Sequence, residues 1–193
     1  MPYDQTENSG GNILKGLAAG IIAGAVAAAV MNQFQKRLSK MITGENRSHG
    51  AQSLQPGTPD HGAGRMLEQR GKDDPNDDAA ERLANTFSVG LTDHELDEST
   101  KATMGTLLHY GFGMSMGALY GAVAEFAPQT TAGAGTLFGA AVWLGADEGV
   151  TPMLGLSKSA SEYPFSIHAS AFASHIVYGL AAEGVRRAVR KVI

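Results

Sequence analysis

The chain has 193 residues, a formal net charge of -4, no cysteine and six histidines. That length suffices for one domain with a buried core, so neither a second domain nor a covalent staple is required. Without cysteine there are no disulfides, thiolate metal sites or thiol nucleophiles, and an acidic balance without a dense Lys/Arg patch excludes a sequence-independent grip on nucleic-acid phosphates.

The mean hydropathy of -0.11 conceals an uneven distribution, because charge is crowded into the start, the end and residues 36 to 101. Residues 16 to 35, 102 to 124, 126 to 146 and 163 to 182 carry no Asp, Glu, Lys or Arg. Each run approaches the ~20 residues that a helix needs to cross ~30 Å of hydrocarbon. The fold class expected is therefore an all-α, polytopic membrane protein, a bundle of four transmembrane helices with glycine-rich interfaces.

Residues 1–12 read as a polar N-terminal tail, with no short basic stretch of the kind that precedes a secretory signal, so the helix that follows is expected to be retained. Residues 13–40 form transmembrane helix 1. Residues 41–91 form a polar linker whose 44–78 portion is rich in Gly, Pro, Ser and Asn, with Pro56-Gly57, Pro59-Asp60 and Asp74-Pro75-Asn76 as breakers. Within it, Ala79 to Val89 recovers a helical pattern through Leu83 and Phe87 and suits a short amphipathic helix at the surface. Residues 92–193 form a membrane domain with helices 2 to 4. Thr92-Asp93-His94-Glu95 matches a capping box at the entry to helix 2, Pro128 ends that helix, Pro152 ends helix 3, and Pro164 opens helix 4.

Small residues recur at four-residue spacing: Gly16, Gly20 and Gly24 in helix 1, Gly113, Gly117 and Gly121 in helix 2, Gly135 and Gly139 in helix 3. Such rows let backbones approach closely, and in lipid those dispersion contacts replace the missing hydrophobic push between helices.

Titratable groups inside a bilayer cost ~2.5 to 3.5 kcal/mol each when charged, so His109, Asp147, Glu148, His168 and His175 form the candidate site. Alternation of the helices puts His109, Asp147, Glu148 and His168 in one leaflet, with His175 nearer the midplane. Imidazoles and carboxylates suit a divalent transition metal or a proton relay; the competing reading is that each histidine makes one structural hydrogen bond across the bundle. Haem between His109 and His175 ranks lower, since close glycine faces leave little room for it. At the opposite surface Glu125 and Glu183 are placed to pair with Arg186 or Arg187 in an interfacial salt bridge. His49, His61 and His94 sit in polar segments and are expected to be solvated.

Four pieces, LLHYGFG (Leu107 to Gly113), GALYGAVAE (Gly117 to Glu125), FGAAVWLGADEGVTPMLGLS (Phe138 to Ser157) and EYPFSIHASAFASHIVYGLAAEGVRR (Glu162 to Arg187), follow in order. Over about Leu91 to Val192 the chain thereby resembles the YagU-like family of bacterial inner-membrane proteins. The resemblance implies a multi-pass protein of the inner membrane and brings no reaction with it. Lys15, Arg186, Arg187, Arg190 and Lys191 against Lys36, Arg37, Lys40, Lys101 and Lys158 nearly balance across the membrane; because the second set lies mostly in a long loop, both termini are expected in the cytoplasm. The expected partners are the lipid bilayer and, in a structural or accessory role, a second copy or other membrane proteins that pack on the glycine faces; the competing role is handling protons or metal ions. An enzyme ranks third, since no nucleophile or substrate pocket can be named.

Overall fold

Alanine, glycine and unbranched or aliphatic residues without an internal proline let the first long helix, α1, run without interruption from Gln5 to Ile42. It begins well before Ile13, inside the segment read as a tail, because propagating a helix adds a hydrogen bond for each residue fixed and nothing after Pro2 forbids it. The computed structural model describes residues 5–42 and 76–193, and side chains over 12–41 and 76–193. Most of the expected 44–78 loop, with His49 and His61, lies outside the described residues.

Helix α2 (Ala79–Thr92) starts on Asp78, whose side chain accepts from the backbone N–H groups of Ala80 and Glu81 while Glu81 accepts from Asp78 N–H at 2.9 Å. The capping box thus stands here and not at Thr92 to Glu95. Asp93 takes a left-handed conformation (φ 59°) and closes α2 on Val89, and Thr92 Oγ1 donates back to Ser88 O, so that stretch ends a helix. Helix α3 (Glu98–Phe126) is capped instead by Asp97, which accepts from Ser99 Oγ and from Thr100 N–H and Oγ1.

After a 3₁₀ stretch (Pro128–Gly135) containing the positive-φ turn Gly133, Ala134, Gly135, the chain enters α4. That helix is regular over Thr136–Val142, π-helical over Trp143–Val150, and closes with a turn at Thr151–Met153. A short 3₁₀ turn (Ala160–Glu162) leads to α5 (Phe165–Arg190), with Pro164 just ahead of its first residue. All elements are helical, and there is no strand among the described residues. One described helix, Asn12–Met41 within α1, is long and apolar enough to cross a membrane. Gly, Ala, Ser and Thr keep the other charge-free runs less apolar, since these residues contribute little transfer free energy.

The chain divides into two compact units. The first takes the described part of Met1–Met31 together with Tyr110–Ala141 and His175–Ile193. Its interior is alanine (Ala19, Ala23, Ala27, Ala28, Ala124, Ala182) with Met31, Tyr120 and Tyr178, and its buried polar side chains are His175 and Glu183. The glycines of α1 and α3 meet in antiparallel register: a Cβ on Gly16 would stand 2.5 Å from Gly121 O, one on Gly20 would overlap Gly117 O, and one on Gly24 would overlap Gly113 O. Gly135, at the end of the 3₁₀ stretch, and Gly139 of α4 likewise lie against the backbone of Gly179 and His175 on α5. Tyr178 donates its hydroxyl to Gly113 O at 2.6 Å.

The second unit takes the described part of Asn32–His109 with Val142–Ser174. Its interior is mostly polar: Asn32, Gln35, Ser39, Arg82, Asn85, Thr86, Lys101, Asp147, Thr151 and Ser174 are buried beside a smaller apolar set, Ala79, Ala84, Val89, Leu156 and Ala171. Large apolar side chains point outward in both units, among them Leu14, Ile22 and Val26 on α1, Leu107 and Leu119 on α3, Leu137 and Leu144 on α4, Phe165 and Leu180 on α5.

Candidate functional site

The π-helical turn carries both acids of the expected site. A π-helix closes its hydrogen bonds at i→i+5, so it brings Trp143 and Glu148 one above the other, where an α-helix would stack Trp143 and Asp147. On α5, His168 and Phe172 share a face one α-turn apart. Two rungs result. Trp143 meets Phe172 edge-on with ring centroids 5.1 Å apart, and Glu148 Oε1 lies 2.6 Å from His168 Nδ1.

His168 Nε2 is 2.9 Å from Ala160 O, and a carbonyl can only accept, so Nε2 carries a proton. The other nitrogen then faces a carboxylate oxygen at a distance that requires a proton between the two lone pairs. The pair is therefore imidazolium with carboxylate or imidazole with carboxylic acid, and removing that proton would set two lone pairs against each other. Both side chains are largely enclosed, His168 at 19% and Glu148 at 12% exposure, and the Tyr163 and imidazole rings meet edge-to-face with centroids 6.4 Å apart.

A second charged group of the same unit lies at the start of α2 and α3. Lys101 Nζ bonds both oxygens of Asp77 at 2.9 and 3.0 Å and reaches Glu98 at 2.7 Å. Burial works against the Lys101 charge, but the hydrogen bonds it donates to Glu98 and Asp77 outweigh that and hold the ammonium above its usual range. Burial, helped by the Glu81 carboxylate, pushes Asp78 up to about 7. Arg82, also buried, reaches Leu156 O at 3.4 Å.

In the first unit Glu183 is enclosed and accepts from Tyr120 Oη at 2.9 Å, from Arg186 at 2.7 and 3.0 Å and from Arg187 at 2.5 Å. Glu125 accepts two bonds from Arg190, at 2.7 and 2.8 Å, and lies 3.9 Å from Arg186. Tyr120 stacks on Phe138 at 4.2 Å, and the Arg186 guanidinium stands over its ring.

Of the five residues expected to form one constellation, the structure brings Glu148 and His168 into contact. His109 and Asp147 belong to the same unit, Asp147 buried, whereas His175 is buried in the other unit. Among the described residues no three His, Asp or Glu side chains are arranged to hold a metal ion. His94 is exposed.

Sequence reasoning overlooked three contributors. The Ala160 carbonyl, which sets the His168 tautomer, comes from backbone and leaves no residue-type signal. The π-turn leaves none either. Gln35 was legible: the α1 face of Gly16, Gly20, Gly24 and Ala28 continues through Asn32 and Gln35 to Ser39 at steps of three or four, changing there from glycine to polar.

No curated protein and no solved structure matches the chain. The pattern of one family, described as protein of unknown function (DUF1440), matches residues 53–184, which is more than half of the 193. The helical chain with its half-buried Glu148–His168 pair thus belongs to the DUF1440 family.

Proposed function

We propose that this chain is a multi-spanning membrane protein, both termini cytoplasmic, that takes up and releases a proton at the Glu148–His168 pair. The membrane half of the reading is supported by inverted polarity. Large apolar side chains on α1, α3, α4 and α5 are exposed while Gln35, Ser39, Ser174 and Glu183 have essentially no exposed surface, the reverse of a water-soluble helical protein. The resemblance of Leu91 to Val192 to YagU-like inner-membrane proteins agrees with it.

The proton half rests on one observation, the 2.6 Å contact between Glu148 Oε1 and His168 Nδ1 with Nε2 already committed to Ala160 O. Occupation of both ring nitrogens also favours protons over a divalent metal, because an imidazole must offer a lone pair to a cation. An accessory role in which the glycine rows grip other helices is less well supported, since Gly16, Gly20 and Gly24 already face Gly121, Gly117 and Gly113 of the same chain.

The test uses the full chain in liposomes with an entrapped pH-sensitive dye. Proton flux down an imposed gradient should exceed that of empty vesicles and fall by about tenfold or more in Glu148→Gln and His168→Asn, the scale set by one lost interaction of ~1.4 kcal/mol. Wild-type flux no greater than the empty-vesicle leak would favour the accessory role.

A further inference from the structure

The polar interior of the second unit holds hydrogen-bonding atoms that the described residues do not serve. Both ends of the Gln35 amide, the Trp143 indole Nε1 and Thr86 Oγ1 are buried and have no hydrogen-bond partner among the described residues. Gln35 has no exposed surface. The three residues come from the end of α1, from α2 and from the π-turn of α4, and all belong to one compact unit.

A buried donor or acceptor left without a partner keeps its full desolvation penalty, and native proteins meet that cost with ordered water, which needs two to four polar partners at its site. Gln35 provides both an acceptor and donors, Trp143 a donor, Thr86 a hydroxyl that serves either way. An apolar ligand would satisfy none of them, and an ion would find no charge among them. Trp143 also stands one helical turn from Glu148, as Phe172 stands one turn from His168, so the indole lies next to the proton-bearing pair along both helices.

We propose that the second unit binds water on Gln35, Thr86 and Trp143, and that this water carries protons to and from Glu148–His168. The inference rests on the proton reading above and extends it from a pair to a path. In the step itself, the proton shared between Oε1 and Nδ1 leaves to a water oxygen, giving hydronium, and the pair remains as carboxylate and neutral imidazole. Return is the reverse step, and no co-reactant is consumed.

Trp143 is the sole tryptophan, so its indole gives a single signal in the ¹⁵N-tryptophan-labelled protein. In nanodiscs of phosphatidylethanolamine and phosphatidylglycerol, magnetisation should pass from water to that indole proton. Gln35→Leu combined with Thr86→Val should reduce the transfer severalfold and slow liposome proton flux, while the His168 Nδ1 signal still shows a nitrogen hydrogen-bonded to Glu148. Flux and an intact Glu148–His168 hydrogen bond in a wild-type protein whose indole receives nothing from water would overturn this inference alone. Water transfer without any flux would overturn proton carriage together with the reading beneath it. Gln35→Leu alone keeps the idea testable should the double variant not fold: higher thermal stability with unchanged flux identifies a dry amide and sinks the proposal.

Discussion

Glu148 lies five residues beyond Trp143, whereas their partners on α5, His168 and Phe172, lie four apart, and the π-helical turn absorbs the difference. The extra residue decides which of two adjacent acids meets the imidazole. In an α-helix Asp147 would occupy the rung that Glu148 takes, and Glu148 would be carried round the helix. Such turns are rare and concentrate at functional sites.

Deleting Ala146 makes Glu148 the fourth residue after Trp143, so that an ordinary α-turn keeps the pair. The His168 Nδ1 signal in ¹⁵N-histidine spectra should retain the shift of a nitrogen sharing a proton with a carboxylate. Its replacement by the signal of a plain neutral imidazole would contradict the register argument.

Gly20→Ala should destabilise the protein by about 1 to 3 kcal/mol or more, the range for overpacking, because the added Cβ overlaps the Gly117 carbonyl and main chain cannot swing aside. Gly184→Ala on α5 meets nothing within 4 Å and should be neutral or stabilising by up to ~1 kcal/mol through helix propensity. Thermal unfolding of both variants in one detergent gives the comparison, and equal midpoints would contradict it.

Glu183→Gln removes the counter-charge of Arg186 inside the first unit and should cost about 3 to 5 kcal/mol, the range for breaking a buried ion pair from one side. Arg187→Ala should cost ~1 kcal/mol or less, since that side chain is 56% exposed and water screens its interaction. Denaturation midpoints of the two variants should therefore separate widely.

Asp78 offers a pH test outside the charge-free runs. Its carboxyl titrates near 7 in the folded chain, against 3.8 ordinarily, so the folded state holds the proton more tightly. The contribution is complete below about pH 3.8 and is lost as pH rises through 7. Asp78→Asn keeps an acceptor for Ala80 and Glu81 N–H but does not titrate. Relative to the variant, the wild type should lose stability between pH 4 and 7 and hold a constant difference above that. Parallel melting curves across that window would contradict it.

Helical content was readable from the charge-free runs, and so was the glycine spacing, because both are local repeats. Register between distant segments was not. Asp147 and Glu148 look equivalent as neighbours, and their separation depends on a π-turn stabilised by what α5 presents. The misplaced cap has a similar origin: Thr92 to Glu95 and Asp78 to Glu81 both fit a capping box, and the left-handed turn at Asp93 decided between them. The five titratable residues were grouped by their depth in a bilayer, which a linear sequence gives, whereas the contact between Glu148 and His168 depends on register, which it does not.

The carbonyl-to-glycine fit between α1 and α3 has a mechanical consequence. With Gly16, Gly20 and Gly24 seated against opposing main chain over two full turns, α1 can neither roll about its own axis nor ratchet past α3 without driving a side chain into a carbonyl. In any working cycle of the first unit these two helices travel as a single strut.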